Sequence, residues 1–120
     1  MAQNICLMLS TYCEFVYPLT RAIDLAATAV DLHKRTVLYV DEQWKRYVKA
    51  GELENRSDTR ESAVKLRSFL KAGGQLWVTP SARPPLPSKI DKLPLIEGAI
   101  VVDDKTLMTF LTQDTLVLTF

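Results

Sequence analysis

Short apolar runs alternate along the chain with longer stretches of helical spacing. Ile5-Cys6-Leu7-Met8-Leu9 is unbroken and is closed by Ser10 and Thr11. Such a run reads as a strand buried on both faces, the habit of parallel sheets. Val16, Leu19, Ile23, Ala26, Ala27 and Val30 then recur at helical spacing, which predicts a helix from about Phe15 to about His33. Pro18 suits the first turn of that helix, where its missing N–H costs little. Thr36-Val37-Leu38-Tyr39-Val40 is rich in β-branched and aromatic residues and predicts a second strand ending at Asp41. Strand, helix and strand with short connections make a βαβ unit, with parallel strands and a right-handed crossover.

Beyond Asp41, Trp44, Tyr47 and Val48 predict one short amphipathic helix that Gly51 ends, and the charged stretch Glu52 to Arg60 reads as a loop. Asp58 with Glu61 three residues on matches a capping box. The helix that follows places Ala63, Leu66, Phe69 and Leu70 on one face and stops at Gly73-Gly74. Gln75-Leu76-Trp77-Val78 predicts the third strand. Pro80, Pro84, Pro85, Pro87 and Pro94 then exclude a regular helix of any length, since an interior proline costs about 3 kcal/mol. A short helical turn near Ser88 to Lys92 still fits between them. Ala99 to Val102 predicts a fourth strand, Leu107, Phe110 and Leu111 a short helix, and Thr115 to Phe120 a fifth strand. The expected architecture is one α/β domain spanning residues 1–120, a three-layer sandwich with a mainly parallel five-stranded sheet and helices on both faces.

Composition narrows what such a domain can do. Of 120 residues, 48% are hydrophobic and 24% charged, which excludes a disordered chain. A net charge of +1 excludes a broad electrostatic grip on nucleic acid. Charge interrupts every apolar run, so no membrane partner is expected. Met1-Ala2-Gln3-Asn4 carries no basic region ahead of an apolar stretch, and a cytoplasmic location with two free thiols is the expectation. Two cysteines cannot make a disulfide scaffold or a four-thiolate metal site. No phosphate loop or dinucleotide glycine fingerprint is present, and neither a cofactor nor a metal is expected.

Ligands of open α/β sheets bind outside the carboxyl ends of the strands. That rule selects the loops beginning at Ser10, Asp41, Thr79 and Asp103, and gathers Thr11, Tyr12, Cys13, Asp41, Thr79, Ser81 and Arg83 as candidate binding residues. Cys13 stands just ahead of the first long helix, where backbone N–H groups favour a thiolate and hence a sulfur nucleophile. The commoner reading of such a residue is a small apolar filler packed under the loop, since free cysteine is among the most buried residue types, and Glu14 next door opposes a thiolate. Cys6 is core. His33 falls in the last turn of its helix, at the end opposite the site, as a surface cation. Lys34-Arg35 and Lys45-Arg46 read as solvated faces. Trp44, Tyr47, Leu53 and the last strand either close the core or contact a further subunit.

The run from Val64 to Phe120 resembles DsrE/DsrF-like proteins, small α/β domains of sulfur-relay and sulfur-oxidation systems. The resemblance lies in the helix ending Lys71-Ala72-Gly73-Gly74, the strand Leu76-Trp77-Val78, and Ser81-Ala82-Arg83. It continues through Leu95-Ile96-Glu97-Gly98-Ala99-Ile100-Val101-Val102 to Asp114-Thr115-Leu116-Val117-Leu118-Thr119-Phe120. The Ala-rich helix from Arg21 to Val30 and its following Val-rich strand are similar to the family's first half.

The resemblance implies a flavodoxin-like fold and a homo-oligomer, trimeric or hexameric, with a sulfur carrier or small ligand as partner. It also implies a sulfur-accepting cysteine just after the third strand, and there this chain has Thr79. A threonine hydroxyl is far too weak an acid to act as a thiolate-like nucleophile at neutral pH. The chain thus resembles the family's non-catalytic binding or assembly subunits. Two alternatives stand beside that reading: a persulfide carrier or transferase using Cys13, and a nucleotide- or phosphate-binding regulatory protein of the flavodoxin-like class.

Overall fold

Strand alternation places the core on both sides of a central sheet. The structure, a computed structural model, describes residues 3–11, 13–80 and 92–120. In chain order the elements are β1 (Asn4–Leu9), α1 (Tyr17–Asp31), β2 (Arg35–Val40), a 3-10 helix (Glu42–Val48), α2 (Arg60–Lys71), β3 (Gln75–Val78), β4 (Ala99–Val101), α3 (Asp104–Leu111) and β5 (Thr115–Thr119). The five strands lie in the order β4-β3-β2-β1-β5, and every neighbouring pair is parallel. The chain thus winds from β1 to β4 in one direction and returns through α3 to lay β5 on the far side of β1.

Because side chains alternate along a strand, β1, β2 and β3 each feed two cores. Leu7, Leu9, Leu38, Val40, Leu76 and Val78 pack with Leu19, Ile23 and Ala26 of α1 and with Ala63, Leu66 and Phe69 of α2. Cys6, Val37, Tyr39 and Trp77 point the other way, toward Leu107 and Phe110 of α3. The Trp77 and Phe110 rings meet edge to face with centroids 5.2 Å apart, and the Arg35 guanidinium lies 5.0 Å from the Phe110 ring centre. Among the described residues the first face carries two helices and the second only eight helical residues, so the second core is the smaller.

Several local expectations are corrected. α1 begins at Tyr17 rather than Phe15, with Pro18 in its first turn as expected. His33 lies beyond the helix, exposed, with a φ of 61°, so it is not in position to complement the helix dipole. The capping box at Asp58 does not form. The N-cap of α2 is Thr59, and the Asp58 carboxylate instead accepts two 3.2 Å hydrogen bonds from Arg56. The Thr59 hydroxyl turns inward and donates to the Leu53 carbonyl at 2.8 Å, tying the loop to the helix. The segment after β2 is a 3-10 helix, and it sinks Trp44 to 2% exposure and Leu53, which follows it, to 1%. Those two residues therefore close the core and are not contact surfaces. Lys45 is not a solvated charge either: its side chain is only 12% exposed and its ammonium stands 3.7 Å from Glu42. The fourth strand ends at Val101, one residue short of expectation, and Val102 is buried on the α3 side. The helical turn expected near Ser88 to Lys92 falls on residues 81–91, outside the described residues, except for Lys92.

Candidate functional site

All strands being parallel, their carboxyl ends share one rim. Backbone bonds carry the ladder past the last strand residues. The Asp41 N–H donates to Leu9 (2.9 Å), Thr79 to Val40 (3.1 Å) and Val102 to Val78 (3.0 Å). The strand order reverses between β1 and β5, the place where α/β sheets open a ligand crevice. Here that place is closed. The Ser10 and Thr11 N–H groups both donate to the Phe120 carbonyl, at 3.2 and 3.1 Å, so neither is free to cradle an anion.

On the α3 side of the rim, the Thr79 side chain is hydrogen-bonded to the Tyr39 phenol. The strand register explains this: Val40 pairs with Val78, so Tyr39 and Thr79 are diagonal neighbours with side chains on one face. Burial pushes the Tyr39 phenol above the ordinary tyrosine range. The Thr79 bond opposes that shift, and the charges of Asp41 and Asp104 add to it. Asp41 caps the 3-10 helix by accepting from the Glu42 N–H at 2.8 Å. Asp103 caps α3, accepting from the Thr106 N–H at 2.8 Å, and that bond holds its carboxyl below the usual range. Cys6 belongs to the same core, two residues before Met8 on β1, and burial pushes its thiol up to about 12. A thiol of that kind is a packing group and not a nucleophile.

Cys13 addresses the opposite core. It is half-buried and packs against the cluster beneath α1 and α2. Its loop is pinned by the Trp44 indole N–H, which donates to the Thr11 carbonyl at 3.0 Å. The Trp44 ring is fixed in turn by Tyr47, with centroids 5.6 Å apart. The rim therefore gathers Thr11, Cys13, Asp41, Thr79 and Asp103 along one edge of the sheet. It does not bring the Cys13 thiol and the Thr79 hydroxyl into one face: β2 lies between their strands, and each side chain joins a different core. Tyr12, Ser81 and Arg83 lie outside the described residues. Among the described residues no three His, Cys, Asp or Glu side chains stand as a metal-ligating group, and no helix is long and apolar enough to cross a membrane.

Tyr39 is the rim residue that the sequence reading missed. The signal for it is its place one residue before the end of β2, which faces it to the residue just past the end of β3. A second feature was also missed. A groove of about 550 Å³ runs along the flank of α2, lined by Leu53, Leu66, Leu70 and Ile96, with Arg67 and Glu97 at its margin. Arg67 is paired there with Glu54 at 3.0 Å.

An all-parallel five-stranded sandwich with this rim is an α/β fold of flavodoxin-like architecture. No family model matches the chain, and no curated protein matches it. Among solved structures it is similar to the ychN protein from E. coli, at 16% identity and a TM-score of 0.65. That likeness covers 98% of this chain and 99% of the other. At that identity the likeness establishes the fold, from end to end of both chains.

Proposed function

We propose that the chain is a non-catalytic DsrE/DsrF-like subunit, one that assembles with copies of itself and binds a small ligand or sulfur-carrying partner at the strand rim. The observation that carries this reading is Thr79. It stands just after β3, where the resemblance implies a sulfur-accepting cysteine, and its side chain is hydrogen-bonded to the Tyr39 phenol. A persulfide requires a thiolate, and the hydroxyl here is a half-buried hydrogen-bonding group set against a phenol. Cys6, the thiol of that same core, is fully buried and held protonated. The closed β1–β5 crevice supports the same reading against a nucleotide or phosphate regulator, because its N–H groups are already used.

Incubation with a sulfane-sulfur donor followed by intact mass measurement tests the reading. The expected result is no added sulfur. A stable single-sulfur adduct on Cys13 would replace this account with that of a persulfide carrier.

A further inference from the structure

The two edges of the sheet are built differently. β4 is only three residues long, too short an edge to hold much pairing, although its Ile100 and Val101 are 46% and 54% exposed, and Val102 separates it from Asp103 and Asp104. β5 is the longer edge, at five residues. Thr115-Leu116-Val117-Leu118-Thr119 contains no charge and no proline, and Leu116, Val117 and Leu118 are 49%, 38% and 36% exposed. The strand also reads the same in both directions. A palindromic strand presents one surface to itself under a twofold axis, which is the requirement for an isologous contact.

The backbone agrees with that symmetry. The Phe120 N–H donates to Met8 and its carbonyl accepts from Ser10, while the Asp114 carbonyl accepts from Asn4. In a parallel ladder residues of one parity face one neighbour. Leu116 and Leu118 therefore spend their N–H and C=O groups on β1, and Thr115, Val117 and Thr119 aim theirs outward. We propose that β5 is a self-pairing edge, on which a second copy of this chain adds its own β5 antiparallel about Val117 to make one continuous sheet. Val117 then exchanges both backbone bonds with its own copy, and Thr115 with Thr119 of the second copy. Leu116 falls opposite Leu118 of the second copy in a non-hydrogen-bonded pair, the arrangement in which side chains approach most closely. Both leucines lie on the face of Ile5 and Leu7, so the new contact continues the α1-side core across the axis. The inference deepens the reading of the chain as an assembly subunit and rests on it for the expectation that copies meet.

Single cysteines placed in the full chain, in a Cys13→Ser background, test the register. In a hydrogen-bonded antiparallel pair the Cα atoms are about 5.5 Å apart, inside the range a disulfide spans. Val117→Cys is expected to give a covalent dimer on mild oxidation. Thr119→Cys alone is expected not to, because its two copies are separated by about 14 Å along the strands. A mixture of Thr115→Cys and Thr119→Cys chains is expected to cross-link as a pair. Val117→Pro removes an outward N–H, which an edge strand tolerates, and is expected to break the assembly with the far-ultraviolet circular dichroism unchanged. A native chain that is monomeric over a wide concentration range, or a bare trimer, which has no twofold axis, overturns the inference. So does an assembly in which Val117→Cys fails to cross-link, or in which a folded Val117→Pro chain keeps its native mass. If the proline variant does not fold, the cross-linking pattern decides alone. None of these outcomes bears on sulfur uptake, so failure of the β5 contact and failure of the non-catalytic reading are told apart.

Discussion

The Thr79 side chain and the Tyr39 phenol are hydrogen-bonded across the β2–β3 boundary, at the rim where the strands end. The bond joins the residue just past the end of β3 to a buried phenol. Removing it by Thr79→Val is expected to cost about 0.5–1.5 kcal/mol of stability, the net worth of such a bond. It is also expected to raise the Tyr39 pKa further, because the Thr79 bond is the contact that lowers it. Absorbance titration of the phenolate checks this: the last tyrosine to ionise shifts upward in the variant.

Cys6 gives the chain a dependence on alkaline pH. Its thiol is pushed up to about 12 by burial, against about 8.5 for an unfolded cysteine. In that window the folded state holds a proton that the unfolded state has released, so stability falls as pH rises. The contribution is complete below the unfolded value and is lost on the way to the folded one. Thermal melts from pH 8 upward are expected to fall more steeply for the native chain than for Cys6→Ala. In the folded protein at neutral pH, a thiol reagent is expected to modify Cys13 and to leave Cys6 untouched.

Gly74 is a steric requirement. A Cβ there would overlap the ring of Phe69, which is itself buried in the α2 side of the core. Gly74→Ala is expected to destabilise by about 1–3 kcal/mol, the usual cost of overpacking. Gly73 has a φ of 99° and open space around it, so Gly73→Ala meets only backbone strain of about 1 kcal/mol. Denaturant midpoints of the two variants test this order.

The Trp44 indole holds the loop that carries Cys13 through the Thr11 carbonyl. Trp44→Phe keeps most of the buried ring and removes the bond. The expected outcome is a loss of about 1 kcal/mol or somewhat more and faster alkylation of Cys13. Unchanged alkylation would mean that the indole does not control access to the thiol.

Much of this architecture was legible in the chain, for identifiable reasons. Runs such as Ile5 to Leu9 and Thr36 to Val40 are apolar at consecutive positions because both faces of a parallel sheet are covered. The order of strands and helices followed from their spacing. The failures are tertiary. Asp58 stands where a capping box belongs, but Arg56, two residues upstream, captures its carboxylate. Leu53 looked like a lone anchor in a charged loop, and it is buried because the Thr59 hydroxyl draws its carbonyl in. Cys13 and Thr79 both follow strand ends, and proximity along the rim was legible. Which face each side chain takes depends on parity within β3 and on how the loop after β1 folds over Trp44, and the pattern of the chain does not encode the second. The pairing of Tyr39 with Thr79 could have been found by counting alternation from the strand ends.

Whole-protein mass after exposure to inorganic polysulfide tests the central claim most directly, with the native chain, Cys13→Ser and Thr79→Cys run side by side. The account predicts no sulfur retained by the first two and a stable single-sulfur adduct on Thr79→Cys, where a thiol is returned to the rim position. Sulfur retained by the native chain and lost in Cys13→Ser contradicts it.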